Sequence, residues 1–301
     1  MSKFFKALEQ AEQERALRQE AAPSSRPWVA DPPAGESLRQ TEPRPASELP
    51  GRPADGVEEH LASLLTPTSF EAEQYRALRH LVEQLHKTAD LSVVAVSSPA
   101  GGDGKTPPAI NLAGALAQAP EARVLLVDAD LRGASLGNHL GIDDPSRGLV
   151  DAILDSGLAL EAVVRHRPPF NLSVLPAGHL PATPYEVLKS PRVGELLAEA
   201  RRCYDYVVLD TPPLVSVPDC RVIGKWIDGF LMVVAAHKTP RKLLEEALNV
   251  MDPAKVVGLV FNCDDRPLSG YSYAYGRSSN GNGVTRWARA VKRVGRRRKR
   301  F

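Results

Sequence analysis

A chain of 301 residues, 43% of them hydrophobic, suits one substantial soluble domain with extensions, or two small domains. Its net charge of +2 conceals a dense basic run at positions 286–301, and without a recognition motif beside it that run does not make a nucleic-acid binder. No apolar run is long enough to cross a bilayer, the start lacks a signal-peptide core, and the three cysteines have no metal or redox spacing, which points to a reducing cytoplasm and no disulfide framework.

Residues 1–22 show a charged helical pattern, with Phe4, Phe5, Leu8 and Ala11 gathered towards one side. Residues 23–56 are rich in Pro, Ser, Arg and Glu and bury too little apolar surface to offset chain entropy, so they read as a disordered linker. The folded part is expected from about Thr66. There Ser69 is a candidate N-cap, followed by early glutamates and an apolar stripe of Phe70, Leu78, Leu81, Val82 and Leu85. Glu73, Arg76 and Arg79 fall three apart on a polar flank of the same helix.

Short apolar runs then alternate with helical patterns. Strands are predicted at 92–96, 124–128, 172–175, 206–210, 230–235 and 256–261, and helices near 108–118, 148–164, 185–203, 217–226 and 239–251. Nearly continuous apolar strands are expected where helices cover both faces of a parallel sheet. The fold class is therefore α/β, a three-layer arrangement around a mainly parallel sheet. It has an N-terminal arm over 1–66, a domain over 67–268 and a tail over 269–301.

The first strand runs into "SSPAGGDGKTPPAINLAGAL". Gly101, Gly102, Asp103, Gly104, Lys105 and Thr106 form a variant of the P-loop, with Pro99 where the first glycine usually stands. Such a loop surrounds phosphate oxygens with backbone N–H groups at a helix N-terminus, and its lysine neutralises charge. "VLLVDAD" brings Asp128 and Asp130 to the C-terminal end of a strand, and "YDYVVLDTPP" does the same for Asp210. Ligands of open parallel sheets bind beyond those strand ends. Together with the Thr106 hydroxyl, these carboxylates suit Mg²⁺ or its waters, so ATP and Mg²⁺ are the expected ligands.

These segments, in this order, resemble the Walker A, A′ and B motifs of the bacterial tyrosine kinases (BY-kinases) of capsule and exopolysaccharide assembly. "EQYRALR", "PATPYEVLKSPRVGELL", "DGFLMVV" and the tyrosine cluster extend the likeness over roughly 69–275. The resemblance implies a cytoplasmic, membrane-peripheral, ATP-dependent kinase that phosphorylates clustered tyrosines between subunits. It also implies a homo-oligomer and a membrane polysaccharide chain-length regulator as partners. By the same likeness Lys105 contacts phosphates, and Thr106, Asp128 and Asp210 serve the metal. Asp130 or Asp128 activates the tyrosine hydroxyl, Asn262 lies near adenine, and Glu73, Arg76 and Arg79 meet a neighbouring subunit.

The chain departs from that family in two places. Pro107 and Pro108 follow Thr106, and proline at 107 removes an N–H expected to meet the α-phosphate. One lost hydrogen bond to a charged group is worth roughly 1.5–3 kcal/mol, which weakens nucleotide binding without abolishing it. Ala235 stands where an arginine is common. Two other readings therefore stay open. One is a degenerate ATP-binding adaptor of polymer export. The other is a partitioning-type ATPase switch, against which Ala100 counts, because those proteins carry a lysine there.

Beyond the last strand, Tyr271, Tyr273 and Tyr275 alternate with small residues as candidate phosphate acceptors. About ten residues of extended chain span roughly 30 Å, enough to reach a neighbouring subunit. The closing "RWARAVKRVGRRRKRF" repeats basic residues with Trp287, Val291 and Val294 at helical spacing, which suits an anionic membrane surface.

Overall fold

The computed structural model describes residues 56–142 and 147–264. The N-terminal helical pattern, the linker up to residue 55, the three tail tyrosines and the basic run all lie outside the described residues.

Seven strands form one sheet: β1 (Val93–Ser97), β2 (Val124–Asp128), β3 (Arg165–His166), β4 (Ser173–Leu175), β5 (Tyr206–Asp210), β6 (Gly229–Ala235) and β7 (Val256–Asn262). Their order is β3-β4-β2-β5-β1-β6-β7. All neighbours pair in parallel except β3 with β4, which are antiparallel. The expected strands are thus present within a residue or so at their ends, and the two-residue β3 is additional.

Alternate residues of the central strands go to opposite faces, and both faces are buried. Val93, Ala95, Leu125, Val127, Val207 and Leu209 join one apolar cluster, while Val94, Val96, Val124, Leu126 and Val208 join the other. This is why the strands read as unbroken apolar runs. Helix α1 (Ala62–Leu65), helix α2 (Phe70–Ala89) and helix α3 (Thr106–Ala117) cover the second face. Further along, the described residues form α4 (Leu136–Leu140), α5 (Leu149–Leu154), α6 (Pro184–Lys189), α7 (Pro191–Cys203), α8 (Asp219–Ile223) and α9 (Arg241–Asn249).

Several expectations change. Packed structure begins before Thr66: Leu61 is fully buried, and the Ser63 N–H donates to Asn111 Oδ1 at 2.8 Å. Ser69 does cap α2, accepting from the Ala72 N–H at 3.2 Å. Yet Phe70 and Leu81 are 47% and 38% exposed, so the packed stripe is Val82 with Leu78 and Leu85. The helix expected over 148–164 stops at Leu154, where Asp155 turns the chain by accepting from the Gly157 N–H. The helix expected over 185–203 is two helices. Ser190 caps the second by accepting from the Arg192 N–H, and Pro191 occupies its first turn, where no intrahelical N–H is needed.

At the sheet edge away from the carboxyl ends, Asp228 ties three elements together. Its carboxylate accepts from both Arg201 terminal nitrogens at 2.7 Å and from the Ser92 and Val93 N–H groups at 2.9 and 2.8 Å. Burial raises its pKa, but Arg201 and the two N–H groups outweigh that and hold it below the ordinary carboxylate value. A depressed carboxylate contributes stability that is present above its unfolded pKa, near 4, and is lost as pH falls through the folded value. Asp228→Ala is expected to lose about 1.5–3 kcal/mol at neutral pH. The melting difference from the parent protein shrinks in acid; an equal difference at pH 7 and pH 3 would contradict this account.

Candidate nucleotide-binding site

The loop between β1 and α3 is shaped from within and clamped from the side. Gly102 and Gly104 have φ of 81° and 74°, the left-handed region that favours glycine. A Cβ on Gly104 would lie 2.5 Å from Asn262 Nδ2, whereas one on Gly101 would meet nothing within 4 Å. Asp103, expected among the nucleotide contacts, is buried within the loop. Its carboxylate accepts from the Ala100 N–H at 3.0 Å and from the Thr239 hydroxyl at 2.8 Å. Asn262 Nδ2 donates to the Asp103 and Gly104 carbonyls, both at 3.1 Å, so this residue holds the loop backbone. Lys238 Nζ donates to the Gly102 carbonyl at 2.6 Å. The arginine missing at Ala235 thus has a cation three residues later, lying against the loop.

Parallel pairing of β2 with β5 places Asp128 directly beside Asp210 in register. Both are almost inaccessible to solvent, at 2% and 0% exposure. Thr106 donates its hydroxyl to Asp210 Oδ2 at 2.6 Å, and the Leu136 N–H donates to Asp128 Oδ2 at 3.1 Å. Lys105 Nζ lies 2.7 Å from Asp130 Oδ2 and 3.9 Å from Asp210 Oδ1. Asp130 Oδ1 accepts from the Arg132 and Gly133 N–H groups. The structure therefore brings Lys105, Thr106, Asp128, Asp130 and Asp210 together at the carboxyl edge, with the loop glycines beside them.

Two oxygens in this cluster, Asp128 Oδ1 and Asp210 Oδ1, are buried without a hydrogen-bond partner. Burial, with Asp210 beside it, pushes Asp128 up to about 7. Burial likewise pushes Asp210 up to about 6, against the pull of Lys105 and the Thr106 hydroxyl. For Lys105, burial acts to lower the pKa, but Asp210 and Asp130 outweigh it and hold the ammonium above its ordinary value. Adjacent buried carboxylates with free oxygens are the donor set a hard divalent cation requires. A Mg²⁺ ion fits these residues.

Similarity to known proteins agrees with this geometry. Residues 91–223 match the family described as an AAA domain. The tyrosine-protein kinase YwqD of Bacillus subtilis (strain 168) is 31% identical over 222 residues, covering 73% of this chain and 92% of that protein. The chain belongs to the bacterial tyrosine-protein kinases. The kinase domain of the Escherichia coli tyrosine kinase ETK superposes with a TM-score of 0.63 at 27% identity, covering 73% of this chain and 86% of that domain. The succinoglycan biosynthesis transport protein ExoP of Rhizobium meliloti (strain 1021) is 32% identical over 66% of this chain, which spans 26% of that longer relative.

Some of this kinase's site residues escaped sequence reasoning. Arg132 grips the buried Asp219 through two hydrogen bonds, of 2.6 and 3.1 Å, and so braces the turn that carries Asp130. Ser135 Oγ lies 3.5 Å from Thr106 Oγ1. Arg132 follows Asp130 in "DADLR", which is a usable signal; Asp219, 87 positions away, offers none. On α2, Arg76 pairs with Glu73 and donates to the Pro67 carbonyl at 2.6 Å. Arg79 instead pairs with Glu83 and donates to the Ala115 carbonyl at 3.0 Å. Arg79 thus serves the chain's own packing, whereas Glu73 and Arg76 remain at the surface.

Pro107 and Pro108 sit in the first turn of α3. The fold tolerates them there because first-turn N–H groups have no helical partner. Pro107→Thr is expected to restore one donor and tighten ATP–Mg²⁺ binding about tenfold or more, as read by calorimetric titration. An unchanged affinity would show that no phosphate meets position 107. Asp128→Asn removes one of two adjacent buried charges while keeping an acceptor for the Leu136 N–H. In metal-free buffer the variant should melt above the parent, and Mg²⁺ with ADP should no longer raise its melting temperature. A variant that melts lower and still gains from Mg²⁺–ADP would contradict the assignment.

Proposed function

We propose that this protein is an ATP-dependent tyrosine autokinase that serves the synthesis and export of an extracellular polysaccharide. The observation that carries the reading is the pair of free, buried carboxylate oxygens on Asp128 and Asp210, set beside Lys105 at the mouth of the P-loop. Family membership and the names of the relatives support the chemistry and its setting.

In this reading the loop backbone and Lys105 bind the phosphates of ATP and orient the γ-phosphoryl group. Thr106, Asp128 and Asp210 would hold Mg²⁺, which supplies positive charge against the phosphate oxygens when bound. The acceptors are Tyr271, Tyr273 and Tyr275 of a neighbouring copy. Their hydroxyl proton passes to a carboxylate of the cluster, Asp130 or Asp128. Glu73 and Arg76 offer the exposed part of a subunit contact, and a membrane chain-length regulator is the proposed partner. Each phosphate adds roughly −1.5 to −2 charges and repels the tail from the acidic site. Among the described residues no helix is long and apolar enough to cross a membrane; the proposed location is the inner membrane face, reached through the partner and the basic tail.

The prolines at 107 and 108 favour one second reading, an ATP-binding adaptor without phosphotransfer. Incubation of the purified full chain with ATP and Mg²⁺, followed by mass spectrometry of the tail peptide, separates the two. Phosphate is expected on at least two of the three tyrosines, and none in Lys105→Met. Nucleotide binding without any tail phosphate in the parent protein would leave the adaptor as the function.

A further inference from the structure

Outside the carboxylate cluster, two histidines and a glutamate converge from segments far apart in the chain. Glu58 and His60 precede α1, and His139 lies in the last turn of α4. Glu58 Oε2 is 3.3 Å from His60 Nδ1 and 2.7 Å from His139 Nδ1. The two imidazoles meet edge to face, with ring centroids 5.4 Å apart. One ligand atom from each residue lies within 4.8 Å of the other two, the one such grouping found among the described residues.

The backbone holds this convergence independently of the imidazoles. The Glu58 N–H donates to the His139 carbonyl at 3.1 Å. Gly56 and Gly141, with φ of 85° and 62°, touch so closely that a Cβ on Gly141 would lie 2.7 Å from the Gly56 carbonyl carbon. Leu61, just beyond, is fully buried and anchors the segment. The three side chains are therefore delivered to one point by the fold itself.

We propose that Glu58, His60 and His139 bind a late first-row divalent cation, best fitted by Zn²⁺, which fastens the segment before α1 to helix α4. Two imidazole nitrogens and one carboxylate oxygen are the ligand types such ions select. Zinc bonds to these ligands are about 2.0–2.2 Å long, so the ligands of a tetrahedral ion stand about 3.4 Å apart. The Glu58–His60 separation of 3.3 Å already matches that edge, and the Glu58–His139 pair, at 2.7 Å, has to open by less than 1 Å. Water completes the fourth position, because Glu58 and His60 are partly exposed, with side-chain exposures of 42% and 47%. The site stands apart from the nucleotide carboxylates yet shares an element with them: α4 carries His139 in its last turn and gives its Leu136 N–H to Asp128. Nothing in the proposal depends on phosphotransfer.

The test uses the full chain stripped of metal and titrated with Zn²⁺ by calorimetry, with Co²⁺ absorption as a second probe. One tight equivalent is expected, together with a raised melting temperature and the intense visible bands of four-coordinate Co²⁺. His60→Ala and His139→Ala should each weaken that equivalent about tenfold or more and abolish the bands. Glu58→Gln should weaken it as well. His60 is exposed, so His60→Ala should melt like the metal-free parent, and its loss of zinc affinity then reports ligation rather than unfolding. If the parent protein binds no Zn²⁺, or His60→Ala binds it as tightly as the parent, the three residues are a hydrogen-bonded cluster only.

Discussion

Two carboxyl groups held side by side inside the protein are the constraint around which this molecule is organised. Parallel registry of β2 and β5 leaves Asp128 and Asp210 no freedom to separate. Their mutual repulsion and their loss of solvent oppose ionisation, and Lys105, the Thr106 hydroxyl and the Leu136 N–H offset part of it locally. Each of those partners sits at the start of a helix or beside one. The strand ends, the loop and the first turns of α3 and α4 are thus fixed by one electrostatic problem. A buried charge with unsatisfied lone pairs costs free energy in the isolated fold, and that cost can be recovered when a cation or a cation-bearing ligand arrives.

Around this centre the phosphate loop is held by elements from well beyond its own strand and helix. Thr239, Lys238 and Asn262, near the ends of β6 and β7, reach its backbone or its Asp103 carboxylate. On the opposite side Arg132 and Asp219 brace the turn after β2. The glycines give the loop its path, and these neighbours restrict it to one path. Preorganisation of this kind lowers the ordering cost when phosphate binds, which offsets part of what the donor missing at Pro107 forfeits.

Much of this architecture was legible in the sequence, for a physical reason. Strands buried on both faces must be apolar throughout, so Asp128 and Asp210 stand out as the charged residues that close such runs. The loop glycines and Lys105 between an apolar strand and a helix are equally conspicuous. What escaped is what depends on separation along the chain. No local pattern joins Asp219 to Arg132, and none joins His139 to Glu58, 81 positions before it. Leu61, in a short segment flanked by polar residues, carries no periodic signal, yet it is fully buried. The exposed Phe70 and Leu81 mark the opposite error, because helical spacing says which residues share a side but not how wide the covered side is. The break at Ser190–Pro191 was readable from turn chemistry and was obscured by the apolar rhythm on either side.

The bond from Arg79 to the Ala115 carbonyl has a mechanical meaning. It secures the far end of α3, whose near end is the phosphate loop. Helix α2 therefore braces the rod on which the loop is mounted, at the end that the loop itself cannot reach.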